Sequence, residues 1–145
     1  MDTCFEASAS LKEIKFLALK FLASFPEGGI FLFPSEMGSG KTTFCRSIIE
    51  ESGYPFEGSP TFAIAHQYAS AARPSILHAD LYRVNYLAEL EEMGFLEMLN
   101  ASHYCFIEWP DIASPYLRSE CFVVTIEILS EEERYYSVVR NKEAQ

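Results

Sequence analysis

Positive charge is what this 145-residue chain has least of: eleven Lys and Arg stand against twenty-one Asp and Glu, a net charge of −10. So acidic a balance argues against a protein that grips phosphate backbones through its own surface field, and any nucleic acid it serves is expected to be held by something else. The imbalance is uneven, with seven basic and nine acidic residues up to position 84 and four against twelve beyond it. Long hydrophobic runs are missing too. The best, Phe16–Leu19 and Ile30–Phe33, stop after four residues, where a membrane helix needs roughly twenty. The start, Met1-Asp2-Thr3-Cys4-Phe5-Glu6, has neither the basic nor the apolar region of a secretory leader, so a cytoplasmic protein is expected. Cys4, Cys45, Cys105 and Cys121 are scattered without a CxxC pair, which predicts reduced, mostly buried thiols rather than a zinc knuckle or a disulfide framework.

What remains is an ordinary globular composition, 49% hydrophobic and 22% charged, of a length that suits a single domain over residues 1–145. Ser10-Leu11-Lys12-Glu13 reads as a capping box that opens an amphipathic helix, which Pro26 and Gly28-Gly29 end. Ile30–Phe33 has the continuous apolar character of a strand buried on both faces, and Lys41–Glu50 has helical spacing. Residues 54–75 carry Pro55, Gly58, Pro60 and Pro74 around a possible strand at Thr61–Tyr68. Ser75–Asp80 predicts a strand, Leu87 to Leu96 a helix with a strongly acidic face, and Tyr104–Ile107 a third buried strand. Cys121–Ile128 and Arg134–Arg140 read as a hairpin at a sheet edge. The fold expected is α/β: a three-layer sheet with mostly parallel core strands, a C-terminal edge hairpin and flanking helices, of the P-loop NTPase-like kind once the loop that follows Phe33 is read, Gly38-Ser39-Gly40-Lys41-Thr42.

Ser35-Glu36-Met37-Gly38-Ser39-Gly40-Lys41-Thr42 matches the Walker A pattern except that Ser35 stands at its first Gly. A strand precedes it and a helix follows, which aims backbone amides and a helix N-terminus at phosphate oxygens. Gly38 and Gly40 let the backbone approach an anion and adopt dihedrals that a Cβ penalises. Lys41 supplies charge to the β- and γ-phosphates, and the Thr42 hydroxyl suits magnesium. The plain alternative is a glycine-rich turn with a solvated lysine, but a cation in a first helical turn opposes the macrodipole unless an anion is near.

Three further constellations follow. Ser59-Pro60-Thr61-Phe62 puts hydroxyls on a Pro-stiffened loop, suited either to a γ-phosphate or to a simple turn into a strand. His78-Ala79-Asp80-Leu81-Tyr82-Arg83 ends a buried strand on a carboxylate, where ligands collect in open α/β sheets. Asp80 is suited to orient a water or to hold magnesium through one, or else to cap the next helix. His78 reads as structural, and Arg83 as the partner of an acidic residue. Ile107-Glu108-Trp109-Pro110 places Glu108 where a Walker B acid follows its strand, with magnesium coordination its natural role. Trp109, the only tryptophan, reads as core packing rather than base stacking.

Together, Met37-Gly38-Ser39-Gly40-Lys41-Thr42-Thr43-Phe44, Ser59-Pro60-Thr61-Phe62, Asp80-Leu81-Tyr82-Arg83 and Ile107-Glu108-Trp109-Pro110 closely resemble the TsaE (YjeE) family in order and spacing over nearly the whole chain. The resemblance implies a magnesium-dependent P-loop ATPase that acts with TsaB and TsaD in forming threonylcarbamoyladenosine at position 37 of tRNA. Its hydrolysis of ATP sustains turnover, slowly when alone and faster with partners, and tRNA is contacted mainly through those partners. It further implies that Met37, Gly38, Ser39, Gly40, Lys41, Thr42 and Thr43 hold the triphosphate, with Thr42 and Glu108 at Mg2+. Thr61 and Asp80 then lie near the γ-phosphate, Trp109 supports the site, and Asp111 and Arg134 contact nucleotide. Lys41, Thr61, Asp80 and Glu108 are the catalytic set expected. Glu36 stands where the family usually has Asp. Two rivals remain open at this point: a small-molecule P-loop kinase, for which Arg73 is the only arginine between Gly53 and Leu77 to serve a lid, and a noncatalytic module in which ATP fixes a protein-binding surface.

Overall fold

The computed structural model describes residues 2–34, 40–117 and 120–141. Among them, seven strands form one sheet: β1 (Asp2–Ser10), β2 (Gly29–Phe33), β3 (Ala65–Ser70), β4 (Arg73–Asp80), β5 (Tyr104–Glu108), β6 (Cys121–Ile128) and β7 (Glu133–Asn141). The helices are α1 (Ile14–Ser24), α2 (Lys41–Glu51), α3 (Leu87–Met93) and α4 (Phe95–Ala101), with 3-10 turns at Leu11–Glu13 and Pro110–Tyr116. Among the described residues no helix is long and apolar enough to cross a membrane.

The strand order is β1-β7-β6-β2-β5-β4-β3. Its centre, β6-β2-β5-β4, is parallel throughout, as the continuous apolar runs predict. The expectation of a mostly parallel sheet is nevertheless corrected. β1–β7, β3–β4 and β6–β7 are antiparallel, as many pairings as the parallel ones. Two features lie behind this. β3 folds back on β4 through a tight turn, and residues 2–10, which carry no run of apolar residues, form a strand that covers β7. The C-terminal hairpin is therefore present but internal, and β1 and β3 are the edges.

Alternation along the buried strands divides the core between two faces. Phe31 and Phe33 of β2, Ile76 of β4 and Phe106 of β5 face α1 and α2, where they meet Phe21, Phe44 and Ile48. Leu32, Leu77, Ala79, Cys105 and Ile107 face the other way, toward Leu90, Phe95, Leu99 and Ala113. Phe31 is fully buried, stacked on Phe122 with ring centroids 4.9 Å apart. The single helix expected from Leu87 to Leu96 is two, because Gly94 adopts a left-handed conformation (φ 76°) that closes α3 and starts α4. The capping box does form: the Glu13 carboxylate accepts the Ser10 N–H at 2.8 Å.

Candidate functional site

The alternation that fills the core also sets up the site. With Ile76 and Phe106 facing α2, the residues two positions on in each strand, His78 and Glu108, face it too, and Asp80 follows at the tip of β4. Asp80 and Glu108 are register partners on adjacent parallel strands, 7% and 3% exposed. Onto their end comes α2, entered through Gly40 at φ 101°, a conformation that favours glycine. Lys41 and Thr42 are its first residues.

Thr42 Oγ1 lies 3.4 Å from both carboxylate oxygens of Glu108. His78 Nε2 lies 2.7 Å from Glu108 Oε2, fully buried. An ionised carboxylate only accepts, so the imidazole donates from Nε2. Its Nδ1 is buried with no hydrogen-bond partner among the described residues. A second chain of hydrogen bonds converges on Asp80. Thr61 Oγ1 donates to Oδ2 at 3.0 Å and the Tyr82 N–H donates to Oδ1 at 3.0 Å. With the Thr61 proton spent on Asp80, the Ser59 hydroxyl, 2.9 Å from Thr61 Oγ1, is the donor of that contact.

Lys41 is 7% exposed, and its Nζ is buried with no hydrogen-bond partner among the described residues. It sits 4.4 Å from the centroid of the Trp109 ring. Trp109 reaches that position from a left-handed backbone (φ 55°), and Ile64, whose carbonyl accepts the Asp80 N–H, is likewise at φ 71°. Among the described residues these are the two non-glycine residues with positive φ, and each is joined directly to a carboxylate residue of the site, Trp109 by the chain and Ile64 by that hydrogen bond.

These groups open onto a cavity of about 790 Å³, within the usual range for small-molecule sites of roughly 300–1,000 Å³. Gly40, Lys41, Thr42, Thr43, Thr61, Asp80, Glu108, Trp109 and Arg134 all line it. Arg134 Nη1 is turned to the carbonyls of Ser130 and Glu133. Asp111 is exposed in the 3-10 turn after Trp109 and is not among the lining residues. Met37, Gly38 and Ser39, with Ser35 and Glu36, lie outside the described residues.

Several expectations change. Asp80 is not the cap of the following helix, since α3 begins at Leu87 and the carboxylate is taken up by Thr61 and Tyr82. Trp109 is a half-buried wall of the cavity rather than a core residue. Arg83 pairs with a ring, 4.5 Å from the centroid of Phe62, and with no carboxylate among the described residues. The opposite wall was not anticipated. Ser10, Leu11 and Lys12 meet Glu131, Glu132 and Tyr136 there, because β1 pairs with β7 and sets Ser10 against Glu133. The capping box was the one local signal in that segment, and it speaks only of a helix start.

Burial also orders the thiols. Cys45, on α2 one turn beyond Lys41, is fully buried and held well above the ordinary thiol range by desolvation first, then by the Glu108 charge, with Lys41 opposing. Desolvation pushes Cys105 up to about 12 and Cys121 to about 11.

Would magnesium and a polyphosphate suit these residues? A buried ammonium without a partner needs an anion. A hydroxyl and a carboxylate held 3.4 Å apart are hard oxygen donors of the kind Mg2+ takes. The donor set fits both.

Fold and cavity thus define a mixed α/β protein whose site lies at the carboxyl tips of parallel strands, beside a helix N-terminus. A family model described as "Threonylcarbamoyl adenosine biosynthesis protein TsaE" matches residues 8–137. The chain belongs to the TsaE family. It is 35% identical over 136 residues to the tRNA threonylcarbamoyladenosine biosynthesis protein TsaE of Rickettsia felis, covering 90% of this chain and 76% of that one. The protein of the same name from Bacillus subtilis is 30% identical over 125 residues, covering 85% and 77%. The crystal structure of Bacillus subtilis YdiB superposes with a TM-score of 0.69 at 24% identity, covering 92% of this chain and 83% of that one, a likeness of fold.

Proposed function

We propose that the chain is the ATP-binding and hydrolysing component of tRNA threonylcarbamoyladenosine formation, working with TsaB and TsaD, with its chemistry in the cavity at the tips of β4 and β5. The observation that carries this reading is the Lys41 ammonium, buried against the Trp109 ring with no hydrogen-bond partner among the described residues, in the same cavity as the Thr42–Glu108 pair. A triphosphate is the anion that a helix N-terminus, a lysine and a hydroxyl at this spacing suit.

Thr42 and Glu108 would hold Mg2+, which when bound neutralises charge on the phosphate oxygens. His78 fixes one oxygen of Glu108 and so orients the other. Asp80 receives one hydrogen bond at each oxygen from Thr61 and Tyr82. A carboxylate has about four acceptor positions, so capacity remains to orient a water and take its proton as the oxygen attacks the γ-phosphorus. The bond from that phosphorus to the bridging oxygen breaks and ADP leaves, while Lys41 and the helix amides stabilise the developing charge. Thr61, donated to by Ser59, ties the loop before β3 to Asp80, so nucleotide and loop order are coupled through one carboxylate.

ATP hydrolysis and tRNA modification, measured with purified TsaB and TsaD present and absent, test this. Asp80→Ala should lower hydrolysis by about a hundredfold or more, the usual contribution of a positioned base. Full ATPase activity of Lys41→Ala in the assembled complex defeats the reading. Hydrolysis indifferent to Asp80 but dependent on the partners keeps the family role and removes Asp80 from the chemistry. Phosphate on a small-molecule acceptor, with no water consumed, replaces the ATPase by a kinase.

A further inference from the structure

The side chain of Trp109 stands where a regular strand would not put it. Glu108 ends β5 facing α2, so in extended backbone the next residue would point to the opposite face of the sheet. The left-handed dihedrals of Trp109 (φ 55°, ψ 62°) break that alternation, while its N–H still donates to the Phe33 carbonyl at 3.2 Å. The ring comes instead to Lys41, whose Nζ is 4.4 Å from its centroid. A second ring meets it there. Tyr82, 55% exposed, has its ring centroid 4.9 Å from that of Trp109 at an interplanar angle of 53°. The backbone N–H of Tyr82 is the one that donates to Asp80 Oδ1 at 3.0 Å. Two rings therefore link the lysine that opens α2 to the carboxylate at the tip of β4.

An ammonium has three N–H donors and no acceptor. A carboxylate or carbonyl that held it would occupy those donors and compete with phosphate for them. An indole face attracts the same charge through its quadrupole, at the side of the ring rather than at a lone pair. It can hold a lysine and leave N–H groups for phosphate oxygens. Order counts as well as charge. A free lysine loses rotamer freedom when it meets a ligand, whereas one already held against a ring has lost it beforehand, which favours binding.

We propose that Trp109 is a positioning residue for Lys41. Its ring holds the ammonium before nucleotide arrives and stays against it when phosphate is bound, with the Tyr82 ring bracing the indole. Trp109 acts through Lys41 and not by touching the nucleotide. The effect on affinity rests on the nucleotide reading given above; the pairing of ring and lysine does not.

Two double-mutant cycles on the full-length protein test this, with Trp109→Leu made in the wild type and in Lys41→Met. The first reads the Kd of Mg-ADP by calorimetry. Trp109→Leu should raise it by about 2–30-fold in the wild type, the affinity equivalent of a cation over an aromatic face, and by less than about twofold in Lys41→Met. Trp109→Phe, which keeps a ring face, should lose less. Tyr82→Leu, which keeps the N–H to Asp80, should weaken binding in the wild type and not in Lys41→Met. In hydrolysis with TsaB and TsaD, the KM of Trp109→Leu should rise more than its kcat falls, as for an interaction common to ground and transition states. The second cycle reads Tm without ligand, with circular dichroism confirming that each variant folds. Lys41→Met should gain roughly 1–8 °C more in the Trp109→Leu background, where the ring no longer offsets the buried ammonium. Equal losses of affinity in both backgrounds make Trp109 a direct nucleotide contact or a plain wall, and overturn the proposal. Tighter binding by Trp109→Leu overturns it too, because the ring then competes with phosphate. A wild type that binds no Mg-ADP removes the nucleotide reading, and the melting cycle then decides the pairing: coupling upholds it and additivity overturns it.

Discussion

Lys41→Met should make the free protein more stable and the nucleotide-bound protein less so. Methionine keeps the apolar stem and removes a charged group that is buried with no hydrogen-bond partner among the described residues. A buried donor left unsatisfied costs about 1–3 kcal/mol, more when charged. The Trp109 ring at 4.4 Å returns part of that, roughly 0.5–2 kcal/mol for a cation over an aromatic face. The difference favours the variant by about 1 kcal/mol, or about 2–4 °C in Tm for a chain of this size. Binding moves the other way. Loss of the charge-assisted contacts to phosphate costs about 1.5–3 kcal/mol, which is roughly 10–150-fold in Kd. At a Mg-ATP concentration of about 100 times the wild-type Kd, nucleotide stabilises the wild type by about 2.7 kcal/mol and the variant by roughly 1.4 kcal/mol or less. Thermal unfolding followed by circular dichroism, with and without Mg-ATP, reads both effects. A variant that melts below the wild type when free, or that gains as much from ATP, refutes the reasoning.

Two further outcomes follow from the core. Phe31→Ala removes a ring packed against Phe21, Phe25, Phe106 and Phe122 and should cost about 3–5 kcal/mol, read as a lowered urea midpoint with the slope unchanged; a loss below about 1 kcal/mol contradicts the packing described. Cys105 and Cys121 have folded values raised to about 12 and about 11, so the folded state keeps them neutral while the unfolded chain ionises near pH 9. Their contribution is complete below that pH and is lost as pH climbs toward the folded values, at about 1.4 kcal/mol per pH unit for each thiol. Urea midpoints that stay level between about pH 9 and 10 run against this assignment.

Much of the site could be read along the chain, and its order explains why. Lys41 and Thr42 open a helix after an apolar run, and Asp80 and Glu108 each close one. Strand and helix periods are local, as is the rule that ligands gather at the carboxyl tips of parallel strands. The glycine at 40 was readable for the same reason, since its φ of 101° is a demand of one residue's backbone. What eluded the pattern were contacts between segments far apart in the chain. Nothing in residues 2–10 announces a strand that covers β7, because its partner is more than a hundred residues away and few of its side chains are buried. The wall formed by Ser10, Leu11 and Lys12 against Glu131, Glu132 and Tyr136 exists only through that pairing. His78 read as structural because its partner, Glu108, belongs to the neighbouring strand and their meeting depends on register. The sequence by itself determined which residue types stand at the ends of which elements, since local sterics and burial period suffice for that. The tertiary structure decided which of those ends meet, since strand register and the shared burial of distant segments are properties of the assembled sheet.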